Sequence, residues 1–244
     1  MGINSINGAK IRIGNPPVRK SLFDQFAEFR AHTLGQQCNI SHSLFSTEPG
    51  EMMLFYREKV LEEAQRNNID GRAIAAAITW EYQRNKAGRL SDYLQVFFPA
   101  PNMGIGWGSI HDKPLLETTV QHFLKDLQQT DPICQRLDAA LAIARVAKIM
   151  AESARLLYEK SGGIWINDAP EILAYYFNTG KMLESAKTHR LTPGSVQPVR
   201  LTISRVAMSK WVAENLADFS SFKTIPQVPK GFFVRAVGDV NPIK

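Results

Sequence analysis

The chain is poor in the features that tie a protein to disulfide, metal or membrane chemistry. Of its 244 residues only two are cysteine, Cys38 and Cys134. Two do not make a disulfide framework, which leaves the oxidation state of the pair open, and each reads as a small buried hydrophobe rather than a nucleophile. The five histidines are scattered and no His-Glu-x-x-His pair is present, so no metal centre or other cofactor is expected. No apolar run approaches the roughly 20 residues that span a bilayer. The N-terminus also lacks an uninterrupted hydrophobic signal segment. On this reading the chain is made as a soluble cytoplasmic product, and a target outside the cell would require lysis or a dedicated secretion route. Internal repeats and low-complexity tracts are missing too.

What is present is positive charge and ample apolar material. A formal charge of +6 draws anionic partners over long range. The lysines and arginines are dispersed, however, and no helix-turn-helix, RNP or zinc-finger pattern accompanies them, so no specific nucleic-acid partner is expected. The apolar fraction of 44% fills a real core at this length.

Periodicity points to a mainly α chain in three stretches. Residues 1–45 form an arm and a helix packing on the rest, 46–187 a core, and 188–244 a C-terminal helix and extended tail of the same globular unit. One helix runs from Glu51 to about Asn67, and Asp70 caps the next. Pro114 behind Asp112 opens another. Asp131-Pro132 opens an alanine-rich helix to about Lys160, with Leu137, Leu141, Ala144, Ala147, Met150 and Ala151 inward and small residues on several faces that mark it as the central core helix, ended by Ser161-Gly162-Gly163. Asp168 and Glu171 have capping-box spacing. Thr188 to Val199 reads as loop, Leu201 to Phe219 as a helix, and the Pro-rich tail as extended.

The helix behind Asp70 carries the first chemical signal. Ile74, Ala77, Ile78 and Glu81 recur at spacings of three and four, which puts a carboxyl group at the end of an aliphatic face beside Trp80. Partial desolvation there would raise its pKa, as a general acid requires. The plainer alternative is a helix-end glutamate paired with Arg84. Further on, Gly104, Gly106 and Gly108 alternate with Ile105, Trp107 and Ser109. In an extended segment they leave one face without side chains, open to a flat ligand or another backbone. The spacing is wrong for a dinucleotide fingerprint.

The helix from Ile74 to Glu81, followed after a loop by the segment Gly104 to Ile110, resembles the lysozyme-like superfamily, in particular goose-type lysozymes and soluble lytic transglycosylases. A third match is the run Ile172 to Gly180, similar to the Ala-Tyr-Asn-Ala-Gly motif of the transglycosylases. The resemblance implies a lysozyme-like helical domain with a short glycine-rich β-element beside the cleft. It makes Glu81 the catalytic acid and Gly106, Trp107, Ser109, His111, Tyr176 and Asn178 substrate-binding candidates. The chain departs from the family at two points. Ser109 stands where glutamine is usual, and Phe177 takes the tyrosine position, with Tyr176 about 100° round the helix from it.

What the resemblance implies chemically is protonation by Glu81 of the glycosidic oxygen between N-acetylmuramic acid and N-acetylglucosamine. An inverting hydrolase adds a second carboxylate about 6.5 to 9.5 Å away, and a retaining one at about 5 to 5.5 Å. Asp92 and Asp112 are the candidates, each also readable as a cap or a solvated charge. The goose-type aspartate itself falls on His111. A transglycosylase manages with the glutamate alone. The expected partner is the peptidoglycan glycan strand, with an immunity protein if the chain is an antibacterial effector rather than a phage-related wall hydrolase. A non-catalytic glycan-binding or structural module is the competing reading, and the changes at Ser109 and Phe177 favour it.

Overall fold

The computed structural model describes residues 3–6, 9–12, 51–84, 139–192 and 194–239. Within them the chain is mainly helical, with a small parallel sheet of three strands. An antiparallel ladder, β1 (Ile3–Ile6) with β2 (Ala9–Arg12), forms at the N-terminal arm.

The helix expected over 51–67 is broken in two, α1 (Glu51–Leu54) and α2 (Arg57–Arg66). The neighbouring rings of Phe55 and Tyr56 stand edge-on at 81°, and Tyr56 leaves helical geometry at φ −101°, ψ 14°. A tighter bond from the Tyr56 N–H to the Met53 carbonyl closes the turn. Beyond α2, Asn68 adopts the left-handed conformation at φ 52°, which asparagine tolerates better than most residues.

The cap at Asp70 is present as expected. Its carboxylate accepts from the Arg72 N–H at 3.0 Å and also grips the Arg72 guanidinium, satisfying an otherwise orphaned donor at the start of α3 (Gly71–Arg84). Residues Ala73 to Thr79 of α3 are all buried. A helix so enclosed needs small residues on several sides, and four alanines supply them.

The long helix α4 (Ala139–Ser161) packs against α2, α3 and two later helices, so it is the central helix expected from its alanine content. Its most enclosed stripe differs from the expected one. Ala142, Ile143, Val146, Met150, Ala154 and Leu157 are buried, whereas Leu141, Ala144 and Ala151 are only half-buried. With alanine on every side, composition alone does not choose the seam; the neighbouring helices do. The region that would hold its expected start at Asp131 lies outside the described residues.

Gly162 and Gly163, both at positive φ, end α4, and β3 (Ile164–Trp165) follows. The next helix, α5 (Pro170–Thr179), corrects the capping-box reading. Its N-cap is Ala169, with no side-chain cap bond, and proline occupies the first turn, where a missing N–H costs nothing. Gly180 caps the other end at φ 65°, donating its N–H to the Tyr176 carbonyl. Then come α6 (Met182–Thr188), β4 (Val199–Thr202), α7 (Ala207–Glu214), a 3-10 segment (Leu216–Phe222) and β5 (Val234–Asp239).

The single helix expected over 201–219 is therefore a strand, a short helix and a 3-10 segment. Val199, Leu201 and Ile203 alternate with polar residues, a period of two that pairing with β5 satisfies. The expected extended tail is β5, which runs parallel to both neighbours in the order β3-β5-β4.

Candidate functional site

Glu81 sits half-buried in the last turn of α3, next to the half-buried Trp80. The Trp80 ring lies 5.6 Å from that of Trp211 on α7, and Trp211 leans in turn on Phe219 of the 3-10 segment at 6.0 Å. The guanidinium of Arg84 stacks over Trp80, 4.9 Å from the ring centre, a cation–π contact. An aromatic relay from three elements thus fixes the end of the helix that bears Glu81. Replacing Trp211 with alanine removes the middle of that relay. We expect a loss of about 3 kcal/mol, measured by denaturant unfolding, and a fall in any activity that depends on Glu81.

The other motif helix, α5, packs directly on α3. Tyr176 is fully buried, with its ring edge-on to Tyr175 at 5.0 Å and its hydroxyl towards Ser185 of α6. Burial pushes its pKa up. It packs α5 into the core, whereas Asn178, two positions on, is exposed and Phe177 is half-buried between them. Asp92, Gly106, Trp107, Ser109, His111 and Asp112 lie outside the described residues. Among the described residues, no group of histidine, cysteine, aspartate and glutamate side chains is placed to hold a metal ion. No described helix is long and apolar enough to cross a membrane.

At the other end of α3, about 16 Å from Glu81 at 1.5 Å per residue, sequence reasoning missed a charged cluster. Asp70 and Arg72 face Asp168 and Glu171 at the start of α5, and Arg235 of β5 pairs with Asp168 at 3.4 Å while stacking over Trp165. The only signal was the spacing of Asp168 and Glu171; Arg235 comes from a distant strand that no local pattern links to them.

Burial raises the pKa of both Asp168 and Glu171, opposed at Asp168 first by Arg235 and at Glu171 first by a backbone hydrogen bond and then by Arg72. A carboxyl group whose folded pKa exceeds its unfolded one binds a proton more readily in the folded chain. It supports the fold below the ordinary glutamate range, about 4.3, and that support is lost as pH rises through the raised value. Glu171→Gln should therefore melt higher than the parent chain at pH 7. The gain should shrink to nothing near pH 4 in a thermal-unfolding series.

Comparison with family models, with curated proteins and with solved structures finds no match to this chain.

Proposed function

We propose that the chain is a lysozyme-like muramidase that cleaves the β-1,4 bond between N-acetylmuramic acid and N-acetylglucosamine in peptidoglycan, with Glu81 as general acid. The observation that carries this reading is the setting of Glu81: a half-buried carboxyl group at the end of an enclosed, alanine-rich helix, flanked by a braced tryptophan. The packing of α3 on α5, the helix that carries the Asn178-Thr179-Gly180 motif, supports it further.

Chemically, Glu81 delivers its proton to the glycosidic oxygen as the bond to the anomeric carbon breaks. The electron pair of that bond leaves with the oxygen, and positive charge develops on the sugar ring. In the hydrolytic scheme Asp92 or Asp112 supplies the second carboxylate. In the transglycosylase scheme, the alternative, a hydroxyl of the substrate attacks instead and an anhydro-sugar results. The net positive charge of the chain suits a wall polymer bearing carboxylates and phosphates. Action on the periplasmic or wall side of a bacterium, with an immunity protein as inhibitor, belongs to the same proposal.

The test is digestion of purified sacculi with mass spectrometry of the soluble products. Reducing-end muropeptides establish hydrolysis, and 1,6-anhydro products establish transglycosylation. No release under conditions where a control lysozyme works would overturn the enzymatic reading.

A further inference from the structure

The excess of positive charge belongs to one part of the chain. Residues 181–244 hold ten lysines and arginines against four carboxylates, an excess equal to the formal +6 of the whole chain, while residues 1–180 balance at nineteen of each. The same stretch holds the bare apolar surface. Among the described residues, the large apolar side chains that stand exposed are Val196, Ile225, Val228, Phe232 and Val237. A single exposed valine is ordinary; net charge and exposed apolar groups gathered in one quarter of the sequence are not.

Topology brings part of this material to one place. Strands β3, β5 and β4 run parallel, so the residues that lead into them lie along one edge of the sheet. Gly162 and Gly163 lead into β3, and the Val234 N–H donates to the Gly163 carbonyl at 2.9 Å. Phe232 leads into β5. Its carbonyl accepts from the Tyr158 hydroxyl at 3.0 Å, and its ring lies against Gly163, where an added Cβ would come within 3.2 Å of Cδ1. The ring is thus held in place and still 48% exposed. Val196, 85% exposed, leads into β4 from a turn in which the Ser195 hydroxyl donates to the Thr192 carbonyl at 2.8 Å.

Exposed cations stand at the same edge. Lys160 occupies the last turn of α4, next to Ser161. Arg190 is brought there by its neighbour Leu191, whose N–H donates to the Ser161 carbonyl at 2.8 Å, and Lys230 precedes Phe232 by two positions. None of the three forms an ion pair among the described residues, whereas Arg66, Arg72 and Arg155 are each held by carboxylates. Glu159, beside Lys160 in the sequence, is taken by Arg155.

A partner has to answer both features. A soluble polyanion would reward the charge and leave Val196 and Phe232 in water. A second copy of the chain would set like charge against like. An anionic bilayer offers phosphates at its surface and acyl chains just beneath, and binding to it grows with buried apolar area and cationic attraction together. Both apolar side chains are presented by hydrogen-bonded backbone, so little ordering cost opposes docking.

We propose that this edge of the sheet docks the protein on an anionic phospholipid surface, with Val196 and Phe232 entering the headgroup boundary and Lys160, Arg190 and Lys230 contacting lipid phosphates. Docking of this kind holds a chain at a membrane without crossing it. The edge includes neither Glu81 nor its aromatic brace, so the docking stands or falls apart from the proposed reaction.

The full chain is floated with vesicles of phosphatidylcholine alone and of phosphatidylcholine and phosphatidylglycerol in equal parts. It should rise with the mixed vesicles and far less with the neutral ones. Lys230→Glu should weaken binding to the mixed vesicles about fivefold or more, and Val196→Ser combined with Phe232→Ser about tenfold or more. Short duplex DNA reports the charge alone: the serine variant should bind it as the parent does. Where the double variant does not fold by circular dichroism, Val196→Ser replaces it, because that side chain is 85% exposed, with an expected loss of about threefold. Absence of flotation with the mixed vesicles would overturn the proposal. So would serine variants that bind vesicles as tightly as the parent, an outcome that leaves a surface for polyanions such as nucleic acid.

Discussion

Glu81→Gln should lower the rate of product release from sacculi by about a thousandfold, within the range that a positioned proton donor contributes. Glutamine keeps the volume and the helix propensity of glutamate but has no carboxyl proton to deliver. Because Glu81 is half-buried and lies at the end of α3 rather than within its enclosed middle, the variant should unfold within about 0.5 kcal/mol of the parent. Loss of activity at unchanged stability separates chemistry from folding. Glu81→Asp tests the same point from the other side, since it retains an acid but withdraws it by one methylene. A displacement of that order can cost about 100-fold, so the aspartate variant should fall between parent and glutamine. Equal activity in all three chains would remove Glu81 from the reaction.

A second stability effect, of a different origin, should come from Gly71. A Cβ added there would lie 2.5 Å from the Phe222 carbonyl oxygen and 3.2 Å from the Ala64 methyl. The nearer neighbour is backbone and cannot swing aside. The two segments are also stitched together, with the Gly71 N–H donating to the Thr224 hydroxyl at 3.0 Å and that hydroxyl donating to the Ile69 carbonyl at 2.7 Å. Gly71→Ala must push the 3-10 segment off the start of α3 or bend the helix. We expect a cost of about 2 kcal/mol, or a fall in melting temperature of about 4 to 8 °C for a chain of this size. Alanine's better helix propensity, worth up to about 1 kcal/mol, works against this, so a rise in melting temperature would show that the close approach is relieved cheaply. Phe219 belongs to the 3-10 segment and Trp211 packs on it, so the same substitution should loosen the aromatic brace beside Trp80.

Reading the chain from its residues alone succeeded where the signal was local. Asp70 caps α3, the alanine-rich helix is central, and the glycines at 162 and 163 end it. It failed where distant parts of the chain decide. Leu201 to Ile203 joined a helical pattern by composition and Val199 a loop, but β5 offered an edge and the alternation of period two won. Asp168 looked like a cap until Ala169-Pro170 set the helix start one residue later and Arg235 took the carboxylate instead. Of the candidate site, the placing of Glu81 beside Trp80 was legible because both lie on one helix. Its brace by Trp211, more than a hundred positions away, was not. The depth of Tyr176 was equally hidden, because two adjacent tyrosines carry no mark of which faces inward.

The order β3-β5-β4 has a kinetic consequence. Among the described residues, β3 and β4 do not pair with each other; each pairs with β5, whose residues come after both in the chain. As the polypeptide emerges from the ribosome, α2 to α5 are all available to pack while β3 and β4 still have unpaired edges, and the sheet closes only when residues 234–239 arrive between them. The pairing therefore waits on the last-made strand, whatever the helices have already formed. The interval before the sheet closes is when the nascent chain is most open to aggregation and to proteases.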